Sequence, residues 1–114
     1  MDNLAKAKDY LQLIVNEECN PDHIPEHSEE YRKRVYLPIR EAIKNKNVAV
    51  IDFVESLDID SRYWCMTALE HGMRDSNVIN EDSNISDRLS RLLVMICKEN
   101  DIDPDKVMKR LDKH

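Results

Sequence analysis

Glycine is almost missing from this chain of 114 residues, with Gly72 the single example. Tight hairpins need residues that tolerate positive φ, and neither an Asn-Gly nor an Asp-Gly pair occurs, so a β-rich fold is not expected. The same scarcity removes phosphate-cradling loops, which need several glycines. Cysteines number three, Cys19, Cys65 and Cys97. They are widely spaced, without a CxxC pair, so neither a disulfide framework nor a dithiol redox motif is present, and free thiols are expected. Long apolar runs are also lacking. Leu11 to Val15 is too short for a membrane span or a signal-peptide core, and with Asp2 near the start it predicts a cytoplasmic protein with no membrane partner.

Positive charge is in deficit as well. Lys and Arg total 17 against 23 Asp and Glu, a formal charge of −6. A protein held on phosphate backbones needs the opposite balance, so nucleic acid is not an expected partner. Apolar residues make up 41% and charged ones 35%, enough of the former to fold. One domain spanning residues 1–114 is expected from this length.

Helical periodicity dominates what is there. Leu4, Ala7, Leu11, Ile14 and Val15 form one stripe of a helix over about Asn3 to Glu18, which Pro21 and Pro25 end. Ser28 caps a second helix, with Glu29 and Glu30 in its first turn and Tyr31, Val35, Ile39, Ala42 and Ile43 on one face. Pro38 removes the bond to the carbonyl of Arg34, so a kink or break is expected near Leu37. Asn47 to Leu57 fits either a strand or a helix, and helix is preferred because a lone strand would find no partner. Asp60 is read as the cap of a fourth helix, Ser61 to about Arg74. Asn84 with Asp87 reads as a capping box before the stripe Ile85, Leu89, Leu92, Leu93 and Ile96. Asp103 and Pro104 open a short closing helix. The whole predicts an all-α protein, a compact bundle of five to six helices with short loops, one of them kinked or broken at Pro38.

Candidate chemistry is sparse. Cys19, His23 and His27 recur every four residues with Asp22, Glu26 or Glu30 nearby, donor types that zinc accepts. Pro21 and Pro25 break the helix that would align the two imidazoles, so a solvated loop is the expected state and no metal or cofactor is assigned. His71 follows Glu70, with Cys65 six residues earlier, an offset that does not bring two side chains to one ridge. A catalytic pair is therefore not expected, and no enzyme activity with it. Arg32, Lys33 and Arg34, with Arg40 and Lys44 beyond, are preceded by Glu29 and Glu30 at pairing distance, which predicts a salt-bridged exposed face.

Acidity gathered at turns is the remaining signal. Asp58 and Asp60, Glu81 and Asp82, and Asp101, Asp103 and Asp105 lie at helix starts or between helices. Capping explains several, Asp60 and Asp103 foremost, and leaves Glu81 and Asp82 unexplained. Tyr63, beside Trp64, offers an aromatic at the edge of this surface. Complementary charge speeds encounter with a basic partner, and a desolvated aromatic supplies affinity. Asp58, Asp60, Tyr63, Glu81 and Asp82 are thus the candidate partner-binding residues. In size, acidity and helix content the chain resembles the small immunity proteins and antitoxins with which bacteria neutralise basic nuclease toxins, a likeness of general character that no motif carries. It implies a non-enzymatic inhibitor that occludes a basic, toxin-like protein, as a monomer or weak dimer. A regulatory or adaptor module is the alternative, burying Tyr31, Val35 and Ile39 around Pro38 against a partner helix.

Overall fold

Pro38 explains the least regular part of the main chain in the computed structural model, which describes residues 3–16, 29–75 and 83–112. A helix begins with α2 (Glu29–Tyr31), widens into a π-helical segment (Arg32–Tyr36) and continues as α3 (Leu37–Lys44) without leaving helical geometry. Within it the Leu37 N–H donates to the carbonyl of Arg32, five residues back. Pro38 follows in the first turn of α3, where its missing donor is tolerated. Regular α-helical bonding is thus replaced just ahead of the proline by a wider, underwound turn, and the helix runs on through Pro38 instead of breaking there; the bent helix is the one at Trp64 and Cys65.

The other elements are α1 (Asn3–Val15), α4 (Ala49–Glu55), α5 (Ile59–Tyr63), α6 (Met66–Asp75), α7 (Ser83–Glu99) and α8 (Pro104–Asp112). Since α5 and α6 are two arms of one helix bent at Trp64 and Cys65, the described residues form six helices and no strand. Helix is thus confirmed for the segment after Asn47. The bend corrects the expectation of one helix over Ser61 to Arg74. At the bend the Cys65 N–H bonds the carbonyl of Arg62, three residues back, while its thiol reaches the carbonyl of Ser61 at 3.6 Å. The carbonyl of Trp64 accepts from the buried hydroxyl of Tyr31. Tertiary bonds from α2 therefore serve backbone groups that a straight helix would serve itself.

Asp58, not Asp60, caps this helix. Its backbone is extended and its Oδ1 accepts the Ser61 N–H at 2.8 Å. The Asp103 cap is as expected, accepting from Asp105 N–H at 3.0 Å with Pro104 at the first helical position. Helix α7 starts at Ser83, so Asn84 lies inside its first turn rather than ahead of it.

Two helix ends use residues that glycine would normally supply. Lys46 after α3 and Asp101 after α7 have φ of 56° and 57°. At each, the following N–H reaches back five residues, Asn47 to the carbonyl of Ala42 at 2.9 Å and Ile102 to that of Cys97 at 2.8 Å. These are Schellman ends built with β-carbon-bearing residues.

The deepest contact is between α3 and α6. There Gly72 faces Ile43, and a β-carbon at Gly72 would lie 2.8 Å from Ile43 Cδ1 and 3.2 Å from its Cβ. The chain's one glycine is the point where two helices approach too closely for a side chain. Around this contact, α1 covers the π segment, and α7 and α8 close the opposite side of α6. Tyr31, Val35 and Ile39 are at most 1% exposed. The face expected to meet a partner helix around Pro38 is therefore packed against α1 and α6 within the chain.

Two ion pairs tie the shell together. Glu70, nearly buried on α6, receives two parallel bonds from Arg110 of α8, at 2.6 and 3.1 Å. Arg62 grips both oxygens of Glu99 on α7 while donating to the carbonyls of Glu55 and Leu57, and these two side chains are only 14% and 17% exposed. Bidentate geometry in a partly dry setting makes such pairs worth more than surface bridges. Among the described residues no helix is long and apolar enough to cross a membrane.

Candidate functional site

At the N-terminal end of α6, the bend at Trp64 swings α5 away from the bundle axis and opens a cavity of about 310 Å³. Ile14 and Val15 from the end of α1 line one wall, Asp60, Tyr63 and Trp64 another, and Asn100 after α7 a third. The rings of Tyr63 and Trp64 meet edge to face, with centroids 5.3 Å apart and planes at 77°. Each ring is therefore held in place before any ligand arrives. Asn100 is held too, its amide donating to the carbonyl of Ile96 at 2.8 Å.

Asp58 and Asp60 flank Ile59, which is 49% exposed. A large aliphatic side chain standing in water between two carboxylates is the unusual feature of this end. The two aspartates are not equivalent. Asp58 serves as cap and also receives the Gln12 amide at 3.3 Å, and the Ser61 N–H holds its carboxyl below the usual carboxylate range. Its charge is therefore secured but partly consumed. Asp60 is exposed and makes no ion pair among the described residues. Arg62, the nearest cation in sequence, is directed to Glu99, whose hydrogen bond raises its affinity for its proton against the opposing effect of burial.

Of the candidate partner-binding residues, Asp58, Asp60 and Tyr63 are gathered on α5, while Glu81 and Asp82 lie outside the described residues. Sequence reasoning missed Ile59, Trp64 and Asn100. The Asp-Ile-Asp pattern does not by itself mark Ile59, because Ile102 stands in the same pattern and packs against the core. Trp64 falls within the helix expected over Ser61 to Arg74, whose spacing alone gives it no place at a cavity. Only the bend brings it to the cavity rim.

The remaining candidates separate. Cys19, His23 and His27 lie outside the described residues, and within those described no three His, Cys, Asp or Glu side chains gather as a metal would need. Cys65 and Cys97 are free and buried. Burial pushes the Cys65 thiol up to about 12, which leaves it protonated and unreactive. Cys97 is shifted upward for the same reason. His71 points away from Cys65 to the hydroxyl of Tyr36, 2.8 Å from its Nδ1. Burial, with Arg74 next in effect, keeps His71 below the usual histidine range. Lys33 and Arg34 pair with Glu29 and Glu30 at 3.2 and 3.9 Å, the salt-bridged face the spacing predicts.

A larger hollow of about 720 Å³ follows the outer face of α7, past Ser90, Arg91, Val94 and Met95. Its described lining comes from that helix alone, so no polar groups converge across it from a second element, and it makes a poorer site than the smaller cavity. No protein-family model, no curated protein and no solved structure matches this chain.

Proposed function

We propose that the protein acts without catalysis, as an acidic inhibitor of the immunity or antitoxin kind that covers a basic, nuclease-like protein surface. One observation carries the reading: exposed Ile59 stands between Asp58 and Asp60 beside a preformed cavity rimmed by Tyr63 and Trp64. An interface of this type draws its affinity from an apolar anchor and a fixed aromatic, while carboxylates around them speed encounter and select a cationic partner. Fixing the rings and the capping turn in advance lowers the ordering cost of binding. The net charge of −6 adds long-range attraction in the same direction.

Tagged protein used as bait in its own cells should retain a basic partner at low salt and release it at about 0.3 M, where screening is stronger. Asp60→Lys should abolish retention while leaving the helical circular dichroism unchanged, because Asp60 supports no other residue. An acidic partner, salt-insensitive retention, full retention by the Asp60→Lys variant or a measured turnover would each defeat the proposal.

A further inference from the structure

The C-terminal end of α6 carries a surface of the opposite sign. Arg32, Tyr36, Arg40 and Lys44 follow one another every four residues along the π segment and α3, one step being about 6 Å of helix. Helical spacing explains why this row stays positive. Lys33 and Arg34 have glutamates four residues earlier, whereas Arg40 has Tyr36 before it and Lys44 after it. Arg32 and Lys44 make no ion pair among the described residues. Arg40 does, at 2.9 Å from Asp75, but Asp75 is shared with Arg74 at 3.3 Å, so one carboxylate answers two guanidinium groups.

Tyr36 makes this row rigid. The guanidinium carbons of Arg32 and Arg40 lie 5.5 and 5.8 Å from its ring centroid. His71 meets the same ring edge to face, at 84°, and shares a hydrogen bond with its hydroxyl. Stacked guanidinium groups lose less freedom on binding than free ones, and their planar forks match carboxylates. Beside the row lies a cavity of about 260 Å³ lined by Leu37, Arg40, Glu41, Lys44, Gly72 and Asp75. Leu37 at its rim is 38% exposed.

We infer that this row is a second docking surface, for an acidic helical segment of a protein partner that places one apolar side chain in the Leu37 and Gly72 cavity and its carboxylates on Arg32, Arg40 and Lys44. Charge complementarity selects the occupant, since the row is cationic on an otherwise acidic molecule. A single-stranded nucleic acid is the weaker fit, because the Tyr36 ring is already engaged by two guanidinium groups and His71 and offers little for a base to stack on. The two docking surfaces share no lining residue, so the Asp60 variant and the Arg32, Lys44 variants test them separately.

A labelled helical peptide of about 20 residues, with glutamate at every fourth position and one central leucine, tests this by fluorescence anisotropy. The expected result is binding that weakens with salt, falls about tenfold or more in the double variant Arg32→Glu, Lys44→Glu, and is unchanged by Asp60→Lys. Both substituted cations are exposed and unpaired, so the fold should survive. The milder pair Arg32→Gln, Lys44→Gln gives the same readout if charge reversal disturbs it. No binding, equal binding of the glutamine version of the peptide, equal binding by the double variant, or preferential binding of a single-stranded oligonucleotide would overturn the inference.

Discussion

At one end of α6 a cation is turned inward and carboxylates face out; at the other one surface carboxylate is shared by two guanidinium groups and further cations face out. Arg62 spends its guanidinium on Glu99 and two backbone carbonyls, which leaves Asp60 uncompensated beside Ile59. Asp75 lies between Arg40 and Arg74, which leaves Arg32 and Lys44 uncompensated beside Leu37. The lesson is that surface sign is set here by which partner the fold consumes, not by which residue type is locally more abundant. Each end also keeps one exposed aliphatic side chain, Ile59 or Leu37, among its charges.

Removing the inward cation should break the acidic end most severely. Arg62→Ala strands Glu99 in a largely dry position and frees two carbonyls, and urea titration should show a loss of about 3 kcal/mol. At the basic end the comparable weak point is steric. Gly72→Val adds three carbons where even one lies 2.8 Å from Ile43, and a loss of about 2 kcal/mol is expected from overpacking. Gly72→Ala sharpens the point: the gain of ~1 kcal/mol in helix propensity should largely offset its milder crowding. If valine were tolerated as well as alanine, the close approach of α3 and α6 would not be the reason for the glycine.

The two ends should also differ in their response to acid. His71 belongs to the basic end, facing Tyr36, Arg40 and Arg74 with Glu70 and Asp75 opposing them. Its folded proton affinity lies below that of the unfolded chain, near 6.5, so unfolding takes up a proton in the window beneath that value. The contribution is complete above pH 6.5 and is lost as pH falls toward the lower folded value. Asp58 at the acidic end is also shifted down, from 3.8, so its contribution is kept until much lower pH. Denaturant midpoints measured between pH 7 and 5 should decline, and His71→Gln should flatten that decline, while Asp58→Asn should not.

The smallest effects concern the helix ends that serve the two surfaces. Lys46→Gly after α3 and Asp101→Gly after α7 should each stabilise by up to about 1 kcal/mol, because both residues hold a positive φ that glycine adopts without strain. A calorimetric Tm that falls in either variant would show that the side chain compensates for its backbone conformation.

Much of the fold could be read from residue spacing. The stripes of α1 and α7, the Asp103 and Pro104 start of α8, and the disturbance at Pro38 are local, and each is governed by one period, one cap or one missing donor. Reading failed where a local signal had two solutions. Asp58 and Asp60 are both acceptable caps, and the bend that follows is held by Tyr31 from 33 residues away. The turns Leu57 to Asp60 and Asn100 to Asp103 share a pattern, yet the cap is the first aspartate in one and the second in the other. Tyr31, Val35 and Ile39 read equally well as a core face or a docking face, because periodicity shows that a stripe is apolar and not what covers it.

By itself the sequence determined that this chain is helical, acidic and poor in the glycines and paired cysteines that other architectures need, since those properties depend on composition and short-range periodicity. Tertiary structure alone decided which charges remain available at the two ends of α6, why a side chain at Gly72 would crowd Ile43, and where Trp64 meets the surface. Those outcomes depend on contacts between residues 30 to 40 positions apart, such as Arg62 with Glu99 or Tyr36 with His71, whose geometry no local pattern encodes.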